Sequence, residues 1–578
     1  MADKAKTAGL TELRRVRARS RLLYWSVATF SLVVNALMLT GPLYMLNVYD
    51  RVLGSRSVET LIALTVLVVF LYGSMAILDL VRGRIMSRVG ARFQATMDER
   101  VFRAVMRAGS LGRARAEAVT GLRDLESVQR LMTSPVLMAV FDLPWTPLFF
   151  FGIFLFHPWL GILALSGGAV LILIALANQL GSRGPLSSAN ARIQQAELMG
   201  QQIRAEGEMV QALGMRGASF GRWAAARSEA LESTIRAADT TGGFTSITRA
   251  LRLLLQSAML GLGALLVLRN EMTPGAMIAG SILLGRALAP IELLIGQWAV
   301  VQRGREGWSN LARLLGEIGP EEVRTALPRP KAALSAGALS IVPPGEQQPV
   351  LRNLTFRIQP GQAVGVIGTS GAGKSTLARA LTGVWPATMG KIRLDGAALD
   401  QYDPDVLGAL VGYLPQRVQL FDGTIRDNIA RMSLTPDDAE VVRAAKKAAA
   451  HDMILRLPDG YDTRVTATGG RLSGGQVQRI GLARAMYGDP VVLVLDEPNS
   501  NLDNEGSTAL NAAIRAAKDE GKSVLIMAHR PAAIQECDML LVLENGSKRA
   551  FGPKDEVLRD LVKNAAEIQK ARQPGGVS

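Results

Sequence analysis

A bundle of six membrane-spanning helices followed by an α/β P-loop domain is the predicted fold class, and three observations predict it. Long uncharged apolar runs fill the first half of the chain. A strand, glycine-rich loop and helix pattern occupies residues 361–376. An acidic pair, Asp496-Glu497, closes a second buried-strand pattern, Val491 to Leu495. The composition agrees. At 578 residues the chain exceeds what one hydrophobic core organises, so at least two domains are expected. A mean hydropathy of +0.19 with 20% charged residues suggests a membrane part joined to an aqueous part. Intrinsic disorder and collagen-like or coiled-coil fibres are ruled out. The single cysteine, Cys537, allows no intrachain disulfide and no cysteine zinc cluster, which excludes a secreted disulfide scaffold.

Residues 1–21 form a basic tail (Arg14, Arg15, Arg17, Arg19, Arg21), expected to be cytoplasmic. Residues 22–49 then carry no charge. About 20 apolar residues at roughly 1.5 Å each cross the hydrocarbon, so this run suffices with tilt. It is too long for a signal peptide, and no small-residue cleavage site follows closely. A second run covers 60–78. Residues 143–182 are long enough for two crossings, with His157-Pro158 as the turn between them. A fifth run covers about 253–268, and a sixth, about 272–298, is interrupted by Arg286 and Glu292.

Charge placement supports six helices. Eleven arginines crowd 81–130, from Arg82 to Arg130, and 183–249 is similarly polar, whereas the connections at 50–59, His157 and 269–271 are short and nearly balanced. Basic loops alternate with short ones, so both termini are expected to be cytoplasmic. The two long polar segments have a helical pattern and should extend the membrane helices into the cytoplasm. Most of the net charge of +15 is then explained by the bilayer, and nucleic acid is not an expected partner.

Four charged residues fall at membrane depth: Asp142, Arg252, Arg286 and Glu292. Such groups are costly in lipid and face a bundle interior or water. They either sit at helix ends in internal pairs, or Arg286 and Glu292 line a polar passage for cargo. Asp142-Leu143-Pro144-Trp145 suggests the start of a helix with an interfacial aromatic rather than a proton relay.

Pro320, Pro328 and Pro330 mark a linker, 317–334, after which short strands and turns begin. The β-branched run Val364 to Ile367 leads into Gly368-Thr369-Ser370-Gly371-Ala372-Gly373-Lys374-Ser375-Thr376, with a helical pattern beyond. This is a P-loop in its required context, its backbone N–H groups and helix N-terminus facing phosphates. Lys374 is placed to reach the β- and γ-phosphates and Ser375 to ligate Mg2+. Asp496, at a strand end, can hold Mg2+ directly or through water, and Glu497 can accept a proton from attacking water. Between these motifs lies Leu472-Ser473-Gly474-Gly475-Gln476 before a helical run. A serine and two glycines at a helix start make a second anion site, and one P-loop needs only one cradle, so a partner's nucleotide is implied.

A P-loop paired with Leu-Ser-Gly-Gly-Gln and then Asp-Glu resembles the ATP-binding cassette (ABC) transporters, and the six preceding helices make the chain similar to an ABC exporter half-transporter. The resemblance implies a cassette domain with a helical subdomain over 335–567, a flexible tail at 568–578, and a head-to-tail homodimer. ATP with Mg2+ would lie between Lys374 of one chain and Ser473, Gly474, Gly475 and Gln476 of the other. It also implies Gln416 as the Q-loop residue sensing Mg2+, Asp503 in the D-loop, and His529 as the switch histidine contacting the γ-phosphate. The catalytic residues implied are Glu497, His529 and Lys374. The metal-holding ones are Ser375, Gln416 and Asp496.

The membrane half resembles type I secretion permease/ATPases through Tyr44-Met45-Leu46-Asn47-Val48-Tyr49-Asp50-Arg51-Val52, Phe141-Asp142-Leu143-Pro144-Trp145, Pro274 to Ala279 and Gly285 to Pro290. It looks nearest to the branch that exports proteases, lipases and haemophores. The resemblance implies a multi-pass protein of the bacterial inner membrane, a periplasmic membrane fusion protein, an outer-membrane channel, and an unfolded polypeptide cargo with a C-terminal signal. Export of lipids or small amphipathic molecules is the alternative. Only about twenty residues precede the first helix, so neither an active nor a degenerate N-terminal peptidase domain is expected. Three departures stand out: no aromatic in Ile341-Val342-Pro343-Pro344-Gly345 to stack the adenine, Ala467 in place of a glutamate, and Val477 in place of an arginine.

Overall fold

The computed structural model describes residues 2–111, 116–320, 324–466, 472–500, 502, 504–528 and 531–560. The described residues fall into two compact units, one within 2–107 and 116–320, the other within 108–111 and 324–560.

The first unit is helical. Its elements are α1 (Ala2–Ala18), α2 (Arg21–Leu37), α3 (Thr40–Asn47), a π turn (Val48–Val52), α4 (Leu53–Ser55), α5 (Val58–Ser110) and α6 (Ala116–Met132). Then come α7 (Pro135–Asp142), a 3-10 turn (Leu143–Trp145), α8 (Thr146–Phe156), α9 (Pro158–Ala205), α10 (Gly207–Ala212), α11 (Arg216–Leu268), α12 (Pro274–Gly296) and α13 (Trp298–Glu317). Among the described residues, six helical stretches are long and apolar enough to cross a membrane: Arg21–Ser55, Val58–Ser110, Pro135–Phe156, Pro158–Ala205, Arg216–Leu268 and Pro274–Gly296. The expected turn lies at His157, in extended conformation, with Pro158 opening α9 where its missing N–H costs nothing. His157 Nδ1 accepts from Trp159 N. At 53 residues, α5 and α11 each run to about 80 Å, far beyond the roughly 30 Å of hydrocarbon. Phe149, Ile153, Leu160, Leu171, Met259, Leu284 and Leu288 form the membrane core.

The segment expected as a basic tail is a helix. Ala5, Gly9 and Leu13 recur every four residues, giving α1 a narrow apolar stripe that packs on α13. Two glycines set the closeness of this crossing. A Cβ on Gly316 would lie 1.8 Å from the Ala5 carbonyl oxygen, and one on Gly9 would lie 2.0 Å from that of Ala312. Arg100 Nε joins α5 to Glu12 at 2.9 Å, and its Nη2 donates to the Ile318 carbonyl at 2.6 Å.

The second unit is α/β. Its strands are β1 (Leu334–Ile341), β2 (Leu351–Ile358), β3 (Ala363–Gly368), β4 (Met389–Leu394), β5 (Ala397–Ala398), β6 (Val411–Leu414), β7 (Gly423–Thr424), β8 (Arg464–Val465), β9 (Val492–Asp496), β10 (Ser523–Met527), β11 (Met539–Glu544) and β12 (Ser547–Pro553). Its helices are α14 (Lys374–Leu381), α15 (Pro404–Leu410), α16 (Ile425–Ile429), α17 (Asp438–Lys447), α18 (His451–Leu455), α19 (Gly474–Met486) and α20 (Asn504–Asp519). One sheet has the order β12-β11-β3-β10-β9-β6, parallel except for β12; a second, β2-β1-β4-β5, is antiparallel, and β7 pairs with β8 in a small third. β9 and β10 are buried along their whole length, as strands covered on both faces must be. α16 and α17 pack on α19, forming the helical part.

Candidate functional site

The parallel sheet brings the predicted residues to one edge. β3 ends at Gly368, β9 at Asp496, and β10 pairs Met527 with Asp496, while β6 ends at Leu414 opposite Leu495, two residues before Gln416. The carboxyl ends of such strands are where ligands bind in open α/β sheets. Gly371 and Gly373 have φ of 81° and 99°, the left-handed region that turns the loop back into α14. Lys374 is buried, and its Nζ donates to the carbonyls of Gly368 and Thr369 at 2.9 and 3.0 Å, closing the loop on itself. Burial holds the Lys374 ammonium below its usual pKa, partly offset by Glu497 and Asp496, so the cation faces the acidic pair.

Asp496 is 2% exposed. Burial raises its carboxyl above the ordinary value, opposed by a hydrogen bond from Ser375 and reinforced by Glu497. Its Oδ1 is buried with no hydrogen-bond partner among the described residues. An orphaned carboxylate oxygen beside a serine hydroxyl suits a small hard cation that favours oxygen ligands, so the donor set fits Mg2+. Glu497 follows with φ of 51°, a strained conformation for a non-glycine residue, held by its N–H donating to the Met527 carbonyl at 3.0 Å. Ser500 N closes the next turn onto the Glu497 carbonyl.

The Leu-Ser-Gly-Gly-Gln segment opens α19. Ser473 Oγ accepts from Gln476 N at 3.3 Å while Ser473 N donates to Gln476 Oε1 at 2.9 Å, a reciprocal cap. No hydrogen bond or ion pair among the described residues joins Ser473–Gln476 to the P-loop. One link escaped the sequence reading: Gln478, 2% exposed on α19, donates through Nε2 to the Pro498 carbonyl at 3.1 Å, next to Glu497. A second glutamine two residues beyond the Leu-Ser-Gly-Gly-Gln segment was the available signal. Val477, the replacement for arginine, packs against the apolar cluster beneath the helix. Pro343 is buried in the stretch lacking an aromatic. His529, Asp503 and Ala467 lie outside the described residues.

In the first unit the charged residues at membrane depth separate. Arg252 Nε and Glu292 Oε2 form an ion pair at 3.0 Å. Arg286 instead borders a cavity of about 440 Å³ together with Ala289, Pro290 and Leu293, the face repeating at three- and four-residue steps that excludes Glu292. Among the described residues, then, this cavity takes Arg286, while Glu292 is held by Arg252. Asp142 is also not an interfacial helix start: it ends α7 in a buried network. Arg82 Nη1 donates to Asp142 Oδ1 at 2.7 Å and to Ser31 Oγ at 2.5 Å, and Arg82 Nη2 donates to Asp79 Oδ1 at 2.6 Å. Ser31 Oγ and Asn35 Nδ2 also donate to Asp142 Oδ1, at 2.9 and 2.8 Å.

A family model described as ABC transporter matches residues 351–500, and one described as ABC transporter transmembrane region matches residues 25–288. The chain is 41% identical over 564 residues to the type I secretion system ATP-binding protein PrsD of Rhizobium meliloti (strain 1021), covering 96% of this chain and 97% of that one. It is 29% identical to the cyclolysin secretion/processing ATP-binding protein CyaB of Bordetella pertussis, covering 93% of this chain and 76% of that one. A solved structure of a bacterial Atm1-family ABC exporter with ATP bound superposes with a TM-score of 0.77 at 24% identity, over 97% of this chain and 100% of that one, a likeness of fold.

Proposed function

Because the chain belongs to the ABC transporter family, carrying both its transmembrane region and its ATPase domain, we propose that it is an ATP-driven exporter of a polypeptide in a type I secretion system of the bacterial inner membrane. The observation that carries the ATPase chemistry is the buried Asp496 carboxylate, which takes a hydrogen bond from Ser375 yet leaves Oδ1 without a partner among the described residues, beside the buried Lys374. The polypeptide cargo is supported by likeness to secretion proteins along nearly the whole chain. Both termini and the ATPase domain lie in the cytoplasm, and the partners are a membrane fusion protein and an outer-membrane channel.

Two copies close on two ATP molecules, each cradled by Gly368–Thr376 and covered by the partner subunit's Ser473, Gly474, Gly475 and Gln476. Lys374 exchanges the Gly368 and Thr369 carbonyls for the β- and γ-phosphates. Ser375, Asp496 and Gln416 would hold Mg2+, which when bound offsets negative charge on the phosphates. Glu497 takes the proton of a water whose oxygen attacks the γ-phosphorus. The bond to the β–γ bridging oxygen breaks, giving ADP and phosphate. Lys374 and His529 stabilise charge on the transferring group. Closing and reopening of the pair moves the long helical extensions and exposes the passage to alternate sides.

The test reconstitutes the protein in lipid and titrates its ATPase with C-terminal fragments of secreted proteins, then with lipids and hydrophobic amines. Stimulation by the fragments is the expected result. A response to lipids and amines alone would replace the reading with export of small amphipathic molecules.

A further inference from the structure

The membrane-unit cavity has an asymmetric charge pattern. One wall is fixed: Arg82, 5% exposed, is shared by the Asp142 and Asp79 carboxylates, and its Nε is buried with no hydrogen-bond partner among the described residues. The wall on α12 carries Arg286, for which the described residues provide no hydrogen bond or ion pair. Between them the lining is mixed, with apolar Met38, Met138 and Leu293 beside polar Asn35, Ser87 and Thr133. Two carboxylates on one guanidinium leave one negative charge, and Arg286 balances it without touching it. The exposed Arg286 guanidinium, at the border of a partly apolar cavity and with no partner among the described residues, presents a fork that matches a carboxylate. The second oxygens of Asp142 and Asp79 accept nothing from the described residues, so the same cavity offers acceptors for amide N–H groups. A volume of about 440 Å³ falls within the range of binding pockets.

We propose that this cavity receives a carboxylate of the exported polypeptide, held by the Arg286 fork, while backbone N–H groups meet the free oxygens of Asp142 and Asp79 and neighbouring aliphatic side chains lie on Met38, Met138 and Leu293. The proposal rests on the polypeptide-export reading. A lipid supplies an anion and an apolar body but no row of amide donors, which favours the peptide.

Ala289 borders the same cavity, and the chain's one native cysteine, Cys537, is buried with its thiol pushed up to about 12, so an A289C variant carries one reactive thiol. The full-length variant in lipid vesicles is labelled with a maleimide while an N-acetylated decapeptide of alanine, leucine and serine is titrated, once with a free carboxylate and once amidated. Half-protection by the free-carboxylate peptide is expected at a concentration about tenfold or more below that of the amide. R286Q should erase this preference, and R286K should restore part of it. Equal protection by both peptides, a preference that survives R286Q, or protection by added phosphatidylglycerol and not by peptide would each overturn the proposal. Where secreted-protein fragments still stimulate the ATPase, such a result removes the cavity assignment alone; where they do not, the export reading goes with it.

Discussion

Replacing Arg82 with methionine tests the charge network of the membrane unit most directly. In the native chain Asp142 Oδ1 accepts from Arg82, Ser31 and Asn35, and its side chain is 17% exposed, whereas the Asp79 side chain is 42% exposed. Methionine fills most of the guanidinium's volume but strands Asp142 as a half-buried carboxylate with two neutral donors. Removing one partner of a buried pair costs about 3–5 kcal/mol. Asp142→Asn is much milder, because Arg82 keeps Asp79 as a neutral pair; losing one charge-assisted bond there costs about 1.5–3 kcal/mol. Asp79→Asn should be the mildest, since water already reaches that carboxylate. The double variant R82M/D142N removes both buried charges, so it should recover stability relative to R82M, with a coupling of about 1–3 kcal/mol. Denaturant titration in mixed detergent–lipid micelles, followed by tryptophan fluorescence, ranks the four proteins. If R82M/D142N is no more stable than R82M, or if D142N is as damaging as R82M, the charge-counting argument is wrong.

Glu497→Gln should retain ATP and hold two copies together while hydrolysis falls by roughly 10²–10⁴-fold, as expected for loss of a general base; single-turnover hydrolysis at the wild-type rate would remove Glu497 from that role. Lys374→Ala should abolish ATP binding in isothermal titration, and unchanged affinity would count against the P-loop assignment. Gly316→Val drives a side chain into the Ala5 carbonyl and should release α1 from α13, at a cost of about 1–3 kcal/mol, read as new protease cleavage within residues 1–20; unchanged protection would show that the crossing tolerates a side chain. Burial raises Asp496 above its ordinary value, so its contribution to the ligand-free fold is full below the unfolded pKa and is lost as pH rises through the folded one. Ligand-free Asp496→Asn should therefore show a flatter stability–pH curve across that window. Wild-type Mg2+-ATP affinity should weaken as pH falls into it, and pH-independent affinity would contradict the raised value.

The features legible in the sequence were those whose physics is local. Crossing hydrocarbon requires a contiguous apolar run, so the runs at 22–49, 60–78 and 143–182 marked their helices, and Pro158 marked the turn between two of them. The phosphate loop is likewise contiguous, with its strand, glycines and helix in one stretch of residues. The segment Tyr44 to Val52 was recognisable only as a resemblance, and the structure supplies its physical reason. Asp50 caps α12 from 223 and 225 residues away, accepting from Thr273 Oγ1 at 2.6 Å and from Gly275 N at 2.9 Å. The α1 helix was hidden because its stripe is alanine, glycine and a single leucine (Ala5, Gly9, Leu13), which carry little hydropathy signal.

By itself, then, the order of residues determined where the chain crosses the bilayer, where the phosphate-binding loop sits and which acids close a buried strand, because each depends on neighbours a few positions apart. The tertiary structure decided the pairing of charges. Arg82 could have answered several acids, and only the approach of α2, α5 and α7 selects Asp142, 60 residues away, while the helical repeat of α12 gives Arg286 to a cavity and leaves Glu292 to Arg252. Electrostatic attraction between side chains has no sequence range of its own; it depends on distances and on excluded water, and both are set by packing.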